Sequence, residues 1–173
     1  MAALRERMVF DAERGEYRDG TIRYMMIRPD ALMGLFAELP PDAAAAALAA
    51  LGRSVRRFGG RSAATYRDSA PDGLLEVIAA TAPQLGWGVW TLRREGEGLT
   101  LDVQNSPFAA GAGAQPAPVC AAIGGMMAAV GGMVLSGEAV AVETDCAASG
   151  AACCRFAVSR AAPPAAAGAA PRR

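Results

Sequence analysis

The chain has 173 residues, enough for one domain with a sizeable core, and its 17 basic and 17 acidic residues cancel. Neutrality argues against a polyanion such as nucleic acid as the main partner. Every basic residue is Arg and there is no His, which excludes Ser-His-Asp and Cys-His catalytic pairs and any His-ligated haem or zinc.

The opening "MAALRERMVF" sets two Arg and a Glu before any apolar run, so it does not read as a signal peptide. The expected compartment is the reducing cytoplasm, where four cysteines point to metal or redox chemistry more than to crosslinks. "RMVFDAERGEYRDGTIRYMMI" predicts strand, turn, strand, with Gly15, Asp19 and Gly20 in the turn. Pro29 and Asp30 open an amphipathic helix that Pro40 and Pro41 end. Asp42 then caps an Ala-rich helix from Ala43 to about Arg57. Gly59 and Gly60 break it, and a further helical piece runs to about Asp68. The positive stretch Arg53, Arg56, Arg57 and Arg61 reads as a solvated helix face, or as a site for an acidic partner or a propionate-bearing ligand.

"DGLLEVIAATAPQLG" predicts another helix, and "WGVWTLRREGEGLTLDVQNS" a hairpin turning at Glu95 to Gly98. "PFAAGAGAQPAP" reads as a loop. "VCAAIGGMMAAVGGMVLSG" reads as a helix closed by Gly137, followed by strands "EAVAVETD" and "CCRFAVSR". Val119 to Leu135 is uncharged but only 17 residues long, without aromatic or Arg flanks, so it predicts a buried helix and no membrane span. The Ala/Pro-rich tail, 161–173, has the composition of a disordered segment.

The Gly-rich helix repeats "IGGMMAA" as "VGGMVLS", with Ala121, Gly124, Ala128 and Gly131 on one smooth face. Each Gly costs about 1 kcal/mol of helix stability relative to Ala, so something must approach the backbone closely. A sheet, a dimer partner and a ligand all satisfy that requirement.

Three of the four cysteines lie in "VETDCAASGAACCRF", and the fourth, Cys120, sits in the first turn of the Gly-rich helix, where the helix dipole favours a thiolate. The helix from Cys120 to Ser136 climbs roughly 24 Å, and the strand from Glu138 to Asp145 returns by about 23 Å. An antiparallel strand therefore brings Glu143 and Cys146 back beside Cys120. Side chains alternate along the last strand, and Cys154 shares the apolar face of Phe156 and Val158, so Cys154 rather than Cys153 points inward. Three readings fit this spacing. Cys120, Glu143, Cys146 and Cys154 are four tetrahedral ligands of a structural metal; or the thiols are simply buried; or Cys146 and Cys154 are a redox pair.

"NSPF" after a hairpin, a Cys opening a Gly-rich helix, and Glu-x2-Cys-x3-Gly-x3-Cys-Arg-Phe on Glu143, Cys146, Gly150, Cys154, Arg155 and Phe156 resemble the 4-vinyl reductase domain family. The likeness runs from Arg7 to Arg160. It implies an α+β fold, an antiparallel sheet packed with helices and similar to TRAPP subunits, as a single domain over 1–160. Members include sensor domains of phenol- and xylene-responsive activators and an accessory protein of bacteriochlorophyll biosynthesis. In the aromatic sensors Cys, Glu, Cys and Cys hold zinc. The resemblance therefore implies structural Zn2+ on Cys120, Glu143, Cys146 and Cys154. The phenol sensors also use a pocket His and Trp. This chain has no His, and "LDVQNS" has no Trp, which argues against phenol itself.

The resulting expectation is a zinc-stabilised cytoplasmic domain that binds a small hydrophobic ligand, an aromatic compound or a tetrapyrrole intermediate. Its role would be that of a carrier, an accessory or a sensor, with bacteriochlorophyll biosynthesis as one setting. The pocket is expected between the sheet and the Gly-rich helix, lined by Tyr24, Met26, Phe36, Trp87, Trp90, Phe108, Ile123, Met127 and Val130. Two alternatives stand beside it. One is a reductase of a tetrapyrrole vinyl group, although no dinucleotide fingerprint or flavin motif is present. The other is a dimeric scaffold with the smooth helix face as the homodimer seam.

Overall fold

The computed structural model describes residues 3–69 and 71–162, so the expected tail lies, beyond Ala162, outside the described residues. The N-terminal segment forms a short helix, α1 (Leu4–Arg7), then β1 (Val9–Asp11), β2 (Glu16–Asp19) and β3 (Ile22–Tyr24), paired in that order as an antiparallel sheet. The sequence predicted one turn here and the structure has two. Gly15 and Gly20 each stand at a left-handed φ, 63° and 57°, and each closes its own hairpin.

Helix α2 (Pro29–Ala37) leads into α3 (Pro41–Ser69), which is continuous. The break expected at Gly59 and Gly60 does not occur. Those glycines are helical because α6 (Ala121–Val134) crosses α3 there. A Cβ on Gly60 would lie 2.9 Å from Ala129 Cβ, and one on Gly59 would lie 2.6 Å from Met126 Cε. At Gly52 and Gly125 the two backbones touch: a Cβ on Gly125 would fall 2.0 Å from the Gly52 carbonyl oxygen. Close packing thus offsets the poor helix propensity of glycine.

Helix α4 (Leu74–Thr81) precedes the hairpin of β4 (Val89–Glu95) and β5 (Gly98–Gln104). The loop expected at Pro107 is instead helix α5 (Pro107–Ala112). Pro107 occupies its first turn, and the Ser106 hydroxyl oxygen accepts from the Ala109 N–H at 3.4 Å, which completes an N-cap. After α6 come β6 (Ala139–Asp145) and β7 (Cys154–Arg160), and the larger sheet is ordered β4-β5-β7-β6, antiparallel throughout. The architecture is α+β, as expected.

The sheet is dry on one face. Leu99, Leu101 and Val103 of β5 and Cys154, Phe156 and Val158 of β7 are buried, while their alternates are not. On the opposite face the Asp102 carboxylate accepts from both Arg93 and Arg155, the latter at 2.8 Å, tying β4, β5 and β7 together. Helix α6 lies on the dry face, between the sheet and α3. Its smooth side meets the molecule's own sheet: a Cβ on Gly131 would lie 2.6 Å from Val158 Cγ1 and 3.2 Å from Ala139 Cβ. The face considered as a homodimer seam is therefore already covered. Among the described residues no helix is long and apolar enough to cross a membrane.

Candidate metal centre and ligand cavity

Cys120 is the N-cap residue of α6, one position before the first helical turn. Strand β6 returns antiparallel to β7 and delivers Glu143 beside it. The Cys120 backbone N–H donates to Glu143 Oε2 at 2.8 Å. The chain then turns through Ala147–Ser149, and Gly150, at φ 95°, reverses it into β7. Cys120, Cys146 and Cys154 are all buried and carry free thiols. Cys154 Sγ lies 3.6 Å from Cys120 Sγ and 4.0 Å from Cys146 Sγ, and the ligand atoms of the four residues are all within 4.8 Å of one another. That is close enough to bind a metal ion.

Two observations test whether the set fits a tetrahedral cation. Bonds of about 2.3 Å at tetrahedral angles place sulfurs roughly 3.8 Å apart, midway between the two sulfur separations found. Glu143 Oε1 is buried with no hydrogen-bond partner, while Oε2 is held by the backbone. An unpaired buried carboxylate oxygen is costly, and a cation among the thiols would satisfy it. The sulfurs also have donors of their own. Ser106 Oγ lies 3.2 Å from Cys120 Sγ, and the Ala147 N–H donates to Cys154 Sγ at 3.3 Å. Since Ser106 Oγ already accepts from Ala109, its own proton is available to the sulfur.

The thiols do not titrate as the helix dipole alone would suggest. The hydrogen bond from Cys120 holds Cys154 down at about 7. The same bond, then burial, pushes Cys120 far above the ordinary thiol range. Burial raises Cys146 to about 11. The expected thiolate preference at Cys120 is thus overturned in the metal-free cluster. Its neighbours outweigh the dipole, and its position outside the first turn weakens it.

A separate cavity of about 300 Å³ lies where α3 meets α4 and β3. Helix α3 presents a stripe at helical spacing, Ser54, Val55, Phe58, Gly59, Ser62, Ala63 and Tyr66. Ile78, Thr81, Ala82 and Leu85 face it from the α4 side, with Ile22 and Tyr24 from the small sheet and Met126 from α6. Trp87 and Trp90, the two tryptophans of the chain, complete the wall. The polar edge is Tyr66, whose hydroxyl accepts from Arg7 at 3.1 Å while Arg7 also pairs with Asp19.

Residues 99–160 match the model of the 4-vinyl reductase domain. The matched stretch contains the whole motif from Glu143 to Phe156 and all four clustered residues, in line with the family resemblance drawn from that motif. Among solved structures the chain is similar to the phenol-responsive sensory domain of the transcription activator PoxR with phenol. That likeness is 20% identical with a TM-score of 0.73, and covers 90% of this chain and 85% of the other. It is also similar to a vinyl-4-reductase family protein from Methanocaldococcus jannaschii, 14% identical with a TM-score of 0.54, over 80% of this chain and 98% of that one. Among curated proteins none matches the chain.

Outside the matched stretch lie α3, α4 and most of the cavity wall, and here the sequence-based lining set divides. Tyr24, Trp87 and Trp90 line the cavity. Phe108 is buried behind it, edge-on to Trp87 at 5.2 Å. Met26 is 80% exposed, beyond the end of β3. Phe36 is buried in α2. Ile123, Met127 and Val130 are fully buried and do not reach the cavity, because α6 packs on the sheet without a gap at these positions. The pocket expected between the sheet and α6 is therefore filled by core. Sequence reasoning missed the α3 stripe and Met126. The stripe's spacing was visible, but the supposed break at Gly59 and Gly60 interrupted it. Ser106, quoted within "NSPF" without a role, links the α5 cap to Cys120.

Proposed function

We propose that the chain is a zinc-fastened binding domain that holds a small hydrophobic molecule in the cavity between α3, α4 and β3. The observation that carries the binding half is the cavity wall, where both tryptophans and two tyrosines surround an otherwise apolar space with few polar groups. Its volume, about 300 Å³, is at the lower end for ligand sites and suits a compact aromatic or alkyl body better than a whole macrocycle. The phenol-bound neighbour supports a ligand role for this fold, and the PoxR domain is named for sensing. Zinc is the metal favoured by three thiolates and one carboxylate with no open position. Bound there, it supplies structure rather than chemistry, tying the start of α6 to β6 and β7. Three thiols that must stay reduced fit a cytoplasmic setting.

Two measurements test the reading together. Native mass spectrometry of the protein purified without chelator should show one zinc per chain. Titration with naphthalene should change the fluorescence of Trp87 and Trp90, and Ser62→Phe, which fills the cavity, should abolish the response while leaving zinc in place. A zinc-free protein with an unaltered melting temperature, or an unchanged titration in Ser62→Phe, overturns the corresponding half.

A further inference from the structure

The mouth of the cavity carries charge that nothing in the described structure neutralises. Phe58 lines the cavity yet is 55% exposed, so its ring marks the rim. The guanidinium carbons of Arg57 and Arg61 stand 5.1 and 5.4 Å from the centre of that ring. Arg53, Arg57 and Arg61 follow one another at four-residue spacing on α3, so their charges repel along one helical row. Arg56, between them, pairs with Glu138 at 2.6 Å. Among the described residues no carboxylate lies within ion-pair distance of Arg53, Arg57 or Arg61, and α3 has no acidic residue between Asp42 and Asp68. Contact with the Phe58 face favours the two cations but leaves their N–H donors open.

We propose that the cavity's ligand is an amphipathic carboxylate, with its apolar body against Trp87, Trp90 and Tyr66 and its head group held at the rim by Arg57 and Arg61. This rests on the ligand-binding reading above and narrows it to one chemical class. A carboxylate accepts paired N–H donors from a guanidinium, and one placed between two unpaired arginines also relieves their mutual repulsion. A purely apolar ligand would leave both unchanged.

The test uses 6-phenylhexanoate and 6-phenylhexanol, which share a body and differ in charge, titrated against intrinsic tryptophan fluorescence. We expect the carboxylate to bind about tenfold tighter than the alcohol, with the preference shrinking as salt is raised. In R57Q/R61Q the preference should fall to about twofold or less while the affinity for the alcohol is retained, and R57K/R61K should restore part of it. All of these changes are at solvent-accessible positions, and melting temperatures serve as the control. Equal affinities in the unmodified protein, or a preference that survives R57Q/R61Q, overturn the carboxylate assignment while the cavity stands. Failure of both probes to bind overturns the ligand-binding reading and this proposal with it. Sedimentation with phosphatidylglycerol vesicles that depends on Arg57 and Arg61, without any preference for the free carboxylate, would reassign the patch to a lipid surface and overturn the proposal.

Discussion

At the N-terminal end of α6, three buried sulfurs and a carboxylate converge from Cys120, the end of β6, the turn after it and the start of β7. Further along, around the middle of α3, about 300 Å³ of space is walled by side chains from several separate segments and opens beside Phe58. The first region is specified by distances: its members must meet within a few tenths of an ångström, and exchanging one removes a ligand. The second is specified by volume and polarity, and any side chain of similar bulk preserves most of it. Polar convergence therefore gives an all-or-none response to substitution, whereas an apolar wall gives a graded one.

The sharpest way to break that contrast is Cys154→Ser. Zinc content should fall from one per chain towards zero in elemental analysis. The melting transition should lose most of a contribution on the order of 10 kcal/mol. A variant that keeps both metal and melting temperature would place the cluster in the same graded class as the cavity.

Acid acts on the same region alone. In the metal-free cluster Cys120 and Cys146, the latter at about 11, hold their protons at neutral pH, while Cys154 titrates near 7. Zinc must displace thiol protons, so affinity and the stability it confers are present at high pH and lost as pH falls. Calorimetry in buffers of different ionisation enthalpy should find about two protons released at pH 8 and about three at pH 6. Binding in the cavity should be indifferent to that range for a neutral probe.

Next in size is a pair of neighbouring glycines. Gly125→Ala drives a methyl into the Gly52 backbone and should cost about 2–3 kcal/mol in chemical denaturation. Gly124→Ala meets nothing nearer than 3.8 Å, at Phe156, and should stabilise by up to about 1 kcal/mol. Equal effects would remove the α3–α6 crossing as the reason for the glycines. The smallest stability effect belongs to Ser62→Phe, expected within about 0.5 kcal/mol of the unmodified protein while the naphthalene response is lost.

The cluster was legible because its information is local and periodic. Helix rise against strand rise brought Glu143 and Cys146 back to Cys120, and alternation along β7 chose Cys154 over Cys153. The cavity was not, and the reason lies in two glycines. Intrinsic propensity ends a helix at Gly59-Gly60, but a partner helix packed against them holds it intact, and only the uninterrupted α3 aligns Val55, Phe58, Ser62 and Tyr66 into one wall. A similar override made α5. The Gly and Ala content of 107–113 reads as loop until the Ser106 cap and the burial of Phe108 and Ala109 are known. Tertiary contacts decided both cases, and neither is visible in a window of neighbouring residues.

The contact of Gly52 with Gly125 has a mechanical side. Where helices meet through side chains, rotamers yield and small displacements are absorbed; where carbonyl meets α-carbon, nothing intervenes to deform. Helices α3 and α6 thus travel as one rigid piece, and any shift imposed on the wall around Phe58 is carried undamped towards the cap at Cys120.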